Sequence, residues 1–128
     1  MADTGIAFLA SPAAAAQAAL ADLTARYGQV APAAARVIVA LGGDGFMLAT
    51  LDETRALDRP VYGMNCGTIG FLMNAYAAEG LAERLAAAVE EVVRPLALVA
   101  EDVRGAITEA LAISEVSLLR AGPQAARL

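Results

Sequence analysis

One stretch decides the fold of this chain: Arg36-Val37-Ile38-Val39-Ala40-Leu41-Gly42-Gly43-Asp44-Gly45-Phe46. Residues 36–41 are apolar after the initial arginine, a pattern that predicts a short strand buried in a parallel sheet. Residues 46–57 place apolar side chains at helical spacing, which predicts a helix. Three glycines and one acid therefore lie between a strand and a helix, the junction at which open α/β sheets bind their ligands.

The glycine loop, residues 42–45, has the composition of a phosphate-binding turn with an acid inside it. Glycine permits a positive φ and lets the backbone approach a phosphate closely. Asp44 is unexpected because a carboxylate repels phosphate, so we infer another task for it, such as accepting a proton or holding a metal ion. The alternative is a tight turn in which Asp44 caps the helix. The loop is neither a Walker A motif nor the dinucleotide fingerprint.

The composition limits the side chains that could transfer protons and the compartment in which the protein is expected. The 128 residues suit one ordinary domain, carry a net charge of −5, and include no histidine, no lysine and a single cysteine. Proton transfer is therefore left to carboxylates, tyrosines and Cys66. The acidic balance argues against a nucleic-acid surface, and no apolar run approaches the roughly 18 residues of a membrane span. One cysteine fits a reducing compartment, so we expect a cytoplasmic protein.

The flanking sequence repeats the strand-to-helix order. Residues 6–10 predict a first strand, Ser11-Pro12 has the form of a helix start, and the helix is expected to reach Tyr27 with Gly28 as its stop. A third strand is predicted at 61–64. A longer amphipathic helix is predicted over 79–94, with an apolar stripe facing inward at Leu81, Leu85, Val89 and Val92. This β-α-β-α-β-α order predicts an α/β fold with a doubly wound parallel sheet.

A second glycine-rich loop, residues 65–72, leaves the third strand. That strand is expected beside the one leading into Asp44, so both loops would open on one cleft. Asn65 offers hydrogen-bond donors and an acceptor, and Phe71 offers a ring on which a base can stack. The alternative is that Phe71 and Leu72 are core residues that pack the loop against the sheet.

The sequence pattern changes at Pro95 from alternating strands and helices to strands alone. This change divides the chain into an α/β domain at 1–94 and a β region at 95–128. Residues 96–100 and 106–113 predict two strands joined by a hairpin turn at 102–105. Ser114-Glu115 then follows, where a hydroxyl and a carboxylate can hold ribose hydroxyls. The alternative for that pair is a solvated strand end. The β region is therefore predicted to be the first strands of an incomplete β domain.

Together these pieces resemble the NAD kinase family. The resemblance covers essentially the whole chain and rests on the order of Gly42-Gly43-Asp44-Gly45, then Gly63-Met64-Asn65 followed by Gly67–Leu72, then Glu115 soon after a hairpin. The glycine loop alone is shared with diacylglycerol-type lipid kinases and 6-phosphofructokinases. The second loop and the later glutamate favour NAD kinase over a lipid kinase or a non-enzymatic nucleotide-binding module, which remain the alternatives.

The resemblance implies transfer of the γ-phosphoryl group of ATP, or of polyphosphate, to the adenosine ribose 2′-hydroxyl of NAD, giving NADP. It implies Mg²⁺ as the divalent cation that accompanies ATP. The resemblance implies that Asp44 accepts the proton of that hydroxyl and that Gly43 and Gly45 let the backbone approach the phosphates. Asn65 belongs to the nucleotide site, Phe71 lies at the adenine end, and the remaining contacts to NAD come from Ser114 and Glu115.

Three departures from the family pattern stand out. The family usually has Asn-Glu where this chain has Ser114-Glu115, and many relatives have arginine in place of Cys66. Family members also continue into a β-rich domain that supplies much of the NAD site and most oligomer contacts. The resemblance therefore implies a fragment with low activity alone, taken from a full-length protein that forms a homo-oligomer.

Overall fold

The computed structural model describes residues 4–67 and 72–112. The chain divides into two compact units, residues 1–92 and 93–128. None of the helices within the described ranges combines the length and the apolar character needed to cross a membrane.

The first unit is built on a four-stranded sheet. Its strands are β1 (Ile6–Ala10), β2 (Val37–Gly42), β3 (Val61–Asn65) and the two-residue β4 (Asn74–Ala75). They lie in the order β1-β2-β3-β4, and every neighbouring pair is parallel. The predicted α/β fold with a parallel sheet is therefore confirmed, and β4 is an addition that the sequence did not reveal.

Helices cover this sheet on both faces. They are α1 (Ala14–Tyr27), α2 (Asp44–Glu53) and α3 (Leu81–Ala87), with short 3₁₀ turns at Pro32–Ala34 and Arg55–Leu57. Alternate strand residues point to opposite faces. One face packs with α1 and α3 in a cluster that contains Phe8, Leu23, Leu41, Met64 and Leu81. This two-sided burial explains why β2 reads as a continuous apolar run.

The opposite face belongs to α2. A Cβ added at Gly63 would lie 2.9 Å from the sulfur of Met47 and 2.6 Å from that of Met73. Gly63 precedes Met64 on β3, so the two positions face opposite sides of the sheet. The missing side chain of Gly63 therefore makes room for two methionines beneath α2.

A glutamine side chain covers the outer edge of the sheet. The Phe8 amide of β1 donates to Gln29 Oε1 at 2.7 Å, and Gln29 Nε2 donates to the Phe8 carbonyl at 2.9 Å. The Val30 amide also donates to the Ile6 carbonyl at 3.2 Å. An unpaired edge strand invites association with other chains, and this pairing removes two of its open positions.

The expected end of α1 is confirmed and its expected start is wrong. Gly28, at φ 81°, ends the helix, and its amide donates to the Thr24 carbonyl at 3.0 Å. The helix begins at Ala14, because the Ser11 amide donates to the Leu41 carbonyl at 2.9 Å and extends the strand pairing. Ser11-Pro12 is thus a strand exit rather than a helix start.

The predicted helix over 79–94 is also wrong in extent. The observed helix α3 ends at Ala87. Leu81 is fully buried as predicted, but Val89 is 87% exposed and Val92 is 83% exposed. The apolar stripe of the sequence therefore includes two valines, Val89 and Val92, that the first unit does not bury.

The second unit contains an antiparallel pair, β5 (Leu96–Glu101) and β6 (Ile107–Ala112), in which Leu96 lies opposite Ala112. The turn between the strands is organised by Asp102, whose Oδ1 accepts from the amides of Arg104 and Ala106 at 2.8 and 2.9 Å. The predicted hairpin is therefore confirmed, as the beginning of a second, antiparallel sheet.

Candidate functional site

The two glycine-rich segments begin side by side at one edge of the sheet. In the parallel register of β2 and β3, Gly42 lies opposite Asn65. The next amide, that of Cys66, donates to the Gly42 carbonyl at 3.0 Å. Both loops therefore begin at the same level, at the carboxyl ends of neighbouring strands. Ligand sites in open α/β sheets lie at this position.

Asp44 is the first residue of α2 and not its cap. Gly43 takes the cap position with extended backbone, and its carbonyl accepts from the Met47 amide at 3.0 Å. The helix thus begins two residues earlier than the sequence predicted. The half-buried Asp44 carboxylate lies in the first turn, where the helix dipole favours a negative charge.

A backbone amide of the second loop holds the Asp44 carboxylate. The Leu72 amide donates to Asp44 Oδ1 at 3.0 Å. Leu72 itself is 50% exposed, so the alternative that it is a core residue is wrong. The acid of the first loop is oriented by the second loop, and an orienting partner is what a side chain needs to meet one substrate atom.

The glycine loop provides space rather than an unusual backbone. A Cβ at Gly43 or at Gly45 would meet no atom within 4 Å, whereas at Gly42 it would meet Phe46 at 3.0 Å. Among the described glycines, those with positive φ lie elsewhere in the chain. The loop therefore does not use the positive φ that glycine permits, and the open surface above Gly43 and Gly45 is what remains for a phosphate.

Both ends of the second loop are fixed to the sheet. Asn65 Oδ1 accepts from the Gly67 amide at 2.9 Å as the chain leaves β3. On its return, Asn74 Nδ2 donates to the Gly63 carbonyl at 3.1 Å, and β4 pairs with β3. The Leu72 amide is thus presented to Asp44 from a segment that is tied down on either side.

The other predicted site residues divide into two groups. The structure brings Gly43, Asp44, Gly45 and Asn65 together at one sheet edge. Phe71, Ser114 and Glu115 lie outside the described residues, so their roles stay predictions. Among the side chains that the structure describes, no group of three or more His, Cys, Asp or Glu residues is arranged to hold a metal ion.

Beside the glycine loop lies a recess of about 580 Å³ that sequence reasoning missed. Its lining comes from α1 and from the ends of two strands: Ala15, Ala18, Ala19, Asp22, Asn65, Cys66 and Tyr76. Burial raises the pKa of the Cys66 thiol. The run of alanines in α1 was the signal in the sequence, because small side chains on an exposed helix face leave a hollow.

Polar contacts fix the outer wall of this recess. The Tyr76 hydroxyl donates to Asp22 Oδ2 at 3.4 Å, and Arg26 Nε lies 3.0 Å from Asp22 Oδ1. Burial first, and then the Asp22 carboxylate, raise the pKa of Tyr76, so its hydroxyl keeps the proton that it donates.

Comparisons with known proteins agree on one family. Residues 5–93 match the family model for the ATP-NAD kinase N-terminal domain. The NAD kinase of Cereibacter sphaeroides is 63% identical over 123 residues, which make up 96% of this chain and 48% of that protein. The NAD kinases of Mesorhizobium japonicum and Caulobacter vibrioides are both 55% identical, with 96% and 98% of this chain covered and 48% of each relative. The chain spans about half the length of these curated relatives.

Proposed function

This chain belongs to the NAD kinase family, and from that membership we propose that it is part of an enzyme that phosphorylates NAD. The γ-phosphoryl group of ATP, or a phosphoryl group of polyphosphate, passes to the adenosine ribose 2′-hydroxyl of NAD, and the product is NADP. The relatives named above support the acceptor, since each is named NAD kinase.

The observation that carries this proposal is the hydrogen bond between the Leu72 amide and Asp44 Oδ1. A ribose hydroxyl is a poor nucleophile, and it needs a base that is held in one orientation. Asp44 fits that role, because the second loop fixes one carboxylate oxygen by a backbone contact. Removal of the proton from the hydroxyl by a positioned base contributes on the order of 10²–10⁴-fold to the rate.

The surface around Gly43 and Gly45 suits the phosphates of the donor. The space that a Cβ would fill is empty at both positions, which supports a close approach of the backbone. The first turn of α2 adds amides that favour an anion. Mg²⁺ bound with ATP would offset the repulsion between Asp44 and the phosphates.

Among the described residues no group of three or more carboxylates is arranged to hold such a cation without the substrate. Mg²⁺ in phosphoryl-transfer sites commonly binds one or two carboxylates and takes further oxygens from the substrate phosphates and water. Asp44 is assigned to the proton of the hydroxyl, so the cation would be held by the substrate phosphates and by water. When bound, the ion neutralises phosphate charge.

The remaining contacts to NAD are proposed from the family resemblance. Asn65 lies at the shared edge of the two loops and belongs to the nucleotide site. Phe71 stacks at the adenine end, and Ser114 with Glu115 contacts NAD. Ser114 has a hydroxyl where the family has an amide, so it keeps fewer of the hydrogen bonds that hold the ribose.

The cellular location and the oligomeric state are proposed from the composition and from the relatives. A chain of net charge −5 with a single cysteine fits a cytoplasmic enzyme that binds no nucleic acid. We propose a homo-oligomer for the longer protein. Because the chain spans about half of its relatives, we further propose that the 128 residues alone bind nucleotide weakly and have low activity.

The test is an acceptor assay on the full-length protein that contains this chain. Labelled ATP and polyphosphate are offered as donors, with NAD and diacylglycerol as acceptors in separate reactions. We expect label in NADP with at least one donor and none in phosphatidic acid. Transfer to diacylglycerol in preference to NAD would overturn the proposed function, and rapid NADP formation by the 128-residue chain would overturn the proposal of low activity.

A further inference from the structure

The recess beside α1 is an open hollow whose volume is large enough for a planar ring. Its volume of about 580 Å³ lies within the roughly 300–1,000 Å³ of small-molecule pockets. Three alanines of α1 line it, and none of them extends beyond a methyl group. Tyr76 forms a wall, and aromatic rings are the surfaces on which nucleobases stack.

The recess begins next to the glycine loop. Cys66 and Asn65 line it, and they continue the strand that pairs with Gly42. The Cys66 amide is bonded to the Gly42 carbonyl, so the lining lies one residue from Gly43. A nucleotide with phosphates above Gly43 and Gly45 therefore has its base within reach of this hollow.

The polar side of the recess suits a base that carries an amino group. Asp22 accepts from Tyr76 on one oxygen at 3.4 Å and pairs with Arg26 on the other at 3.0 Å, and both contacts lie at the exposed side of the recess. A carboxylate has about four acceptor positions, so Asp22 keeps capacity for a further donor. The exocyclic amine of adenine is such a donor, whereas the oxo group of hypoxanthine is not.

We propose that this recess takes the adenine base of ATP, the phosphoryl donor, with its amine directed to Asp22 and its ring against Tyr76. The inference rests on the proposed function. Transfer between ATP and NAD brings two adenine nucleotides to one centre, and each needs a place for its base. The resemblance places Phe71 at one adenine end, and the recess provides a place for a second base, which polyphosphate would not need.

The single cysteine of this chain reports whether the recess is filled. In the full-length protein, alkylation of Cys66 by a maleimide is followed by mass spectrometry of its peptide. Burial raises the pKa of this thiol, so the reaction is run at alkaline pH. Mg²⁺-ATP, inorganic triphosphate, ITP and NAD are titrated in turn, with nucleotide binding followed in parallel by calorimetry.

We expect ATP to slow alkylation about tenfold or more at saturation, which corresponds to about 1.4 kcal/mol. Triphosphate should leave the rate near that of the free protein, whereas ITP and NAD should protect Cys66 less well than ATP does at the same concentration. Equal protection by triphosphate would overturn the placement of the base, and equal protection by ITP would overturn the contact between the amine and Asp22. Equal protection by NAD would overturn the assignment to the donor.

Two matched variants separate filling of the recess from general damage to α1. Ala18 lines the recess, whereas Ala25 is exposed on the same helix outside it. Ala18→Leu should abolish ATP protection and leave the triphosphate affinity unchanged, while Ala25→Leu should behave as the parent protein. If Ala18→Leu fails to fold, Asp22→Ala replaces it, and this change should remove the preference for ATP over ITP.

The outcomes distinguish this inference from the proposed function. If NADP forms from ATP while ATP neither binds nor protects Cys66, the assignment of the recess is overturned and the proposed function stands. Loss of phosphoryl transfer to NAD would overturn the proposed function instead. Unchanged ATP protection in both Ala18→Leu and Asp22→Ala would also overturn the assignment.

Discussion

The backbone amide of Leu72 donates a 3.0 Å hydrogen bond to Oδ1 of Asp44, across 28 positions of the chain. This bond joins the two loops that leave neighbouring strands. One carboxylate oxygen of Asp44 is thereby fixed by a main-chain group, which no substitution of a side chain at position 72 removes except proline. The geometry of the proposed base thus depends on the second loop as much as on the first.

Asp44→Asn should separate chemistry from folding. The amide oxygen of asparagine can still accept from Leu72, so we expect the melting temperature to stay close to that of the parent protein. Loss of the base should lower kcat by about 10²–10⁴-fold. NADP formation by the full-length protein measures the rate, and thermal unfolding measures the stability.

The matched control for this experiment is Asp52→Asn, because Asp52 lies on the same helix and pairs with Arg55 on the surface at 2.6 Å. We expect kcat to be unchanged in that variant, since exposed ion pairs contribute about 0–1 kcal/mol to stability and nothing here to catalysis. Full activity in Asp44→Asn would remove Asp44 from the mechanism.

Gly43→Ala and Gly45→Ala should weaken nucleotide binding without unfolding the protein. A methyl group at either position meets no atom within 4 Å, so the fold accommodates it. At Gly45, inside α2, alanine should raise stability by up to about 1 kcal/mol. Calorimetric titration with Mg²⁺-ATP checks the affinity, and urea unfolding checks the stability; tighter binding in both variants would contradict a phosphate site at this loop.

Gln29→Ala should destabilise the sheet edge. Phe8 is 1% exposed, and the variant leaves its amide and carbonyl without the Gln29 partner. A buried polar group without a partner costs about 1–3 kcal/mol, so the free energy of unfolding should fall by at least that amount.

The control for the edge is Gln17→Ala, because Gln17 is an exposed glutamine whose Nε2 donates to the Ser11 carbonyl at 2.9 Å. Urea unfolding of the two variants should show the larger loss at Gln29. A smaller loss at Gln29 than at Gln17 would mean that the amide pairing adds little to the stability of β1.

The reactivity of Cys66 should shift with pH in a definite direction. Burial disfavours the thiolate, so the pKa of the folded thiol lies above its ordinary value of about 8.5. The alkylation rate should therefore rise at a higher pH in the folded protein than in urea. The raised pKa also favours folding below the unfolded pKa, an advantage that is lost as pH rises through the folded value. A folded midpoint below the unfolded one would contradict the burial of this thiol.

The sequence predicted the first three strands because their apolar runs end at glycine, asparagine or proline signals, and the structure keeps those runs buried. The loop that contains Asp44 and the second loop were predicted to open on one cleft because they leave strands that were expected to be neighbours. The short β4 was beyond prediction, since parallel neighbours usually need a crossover of a dozen or more residues, and residues 66–73 alone connect it to β3.

Two other errors have a common physical cause. The stripe that includes Val89 and Val92 has helical periodicity, but periodicity does not say where a packing surface ends. The recess lined by Ala18 and Tyr76 depends on which small side chains face a neighbouring strand end. Both features depend on tertiary packing, which neither the periodicity of the stripe nor the alanine run of α1 specifies by itself.

The anchors of the second loop constrain its length more than its composition. The chain must leave β3 at Asn65, bring the Leu72 amide to Asp44 and bond Asn74 to the Gly63 carbonyl. Gly67 and Leu72 make their contacts through main-chain amides, so these contacts depend on the spacing of the chain, and one inserted or deleted residue shifts the register of every contact that follows. Insertions should therefore be tolerated better in the exposed segment between α3 and β5 than within residues 66–71.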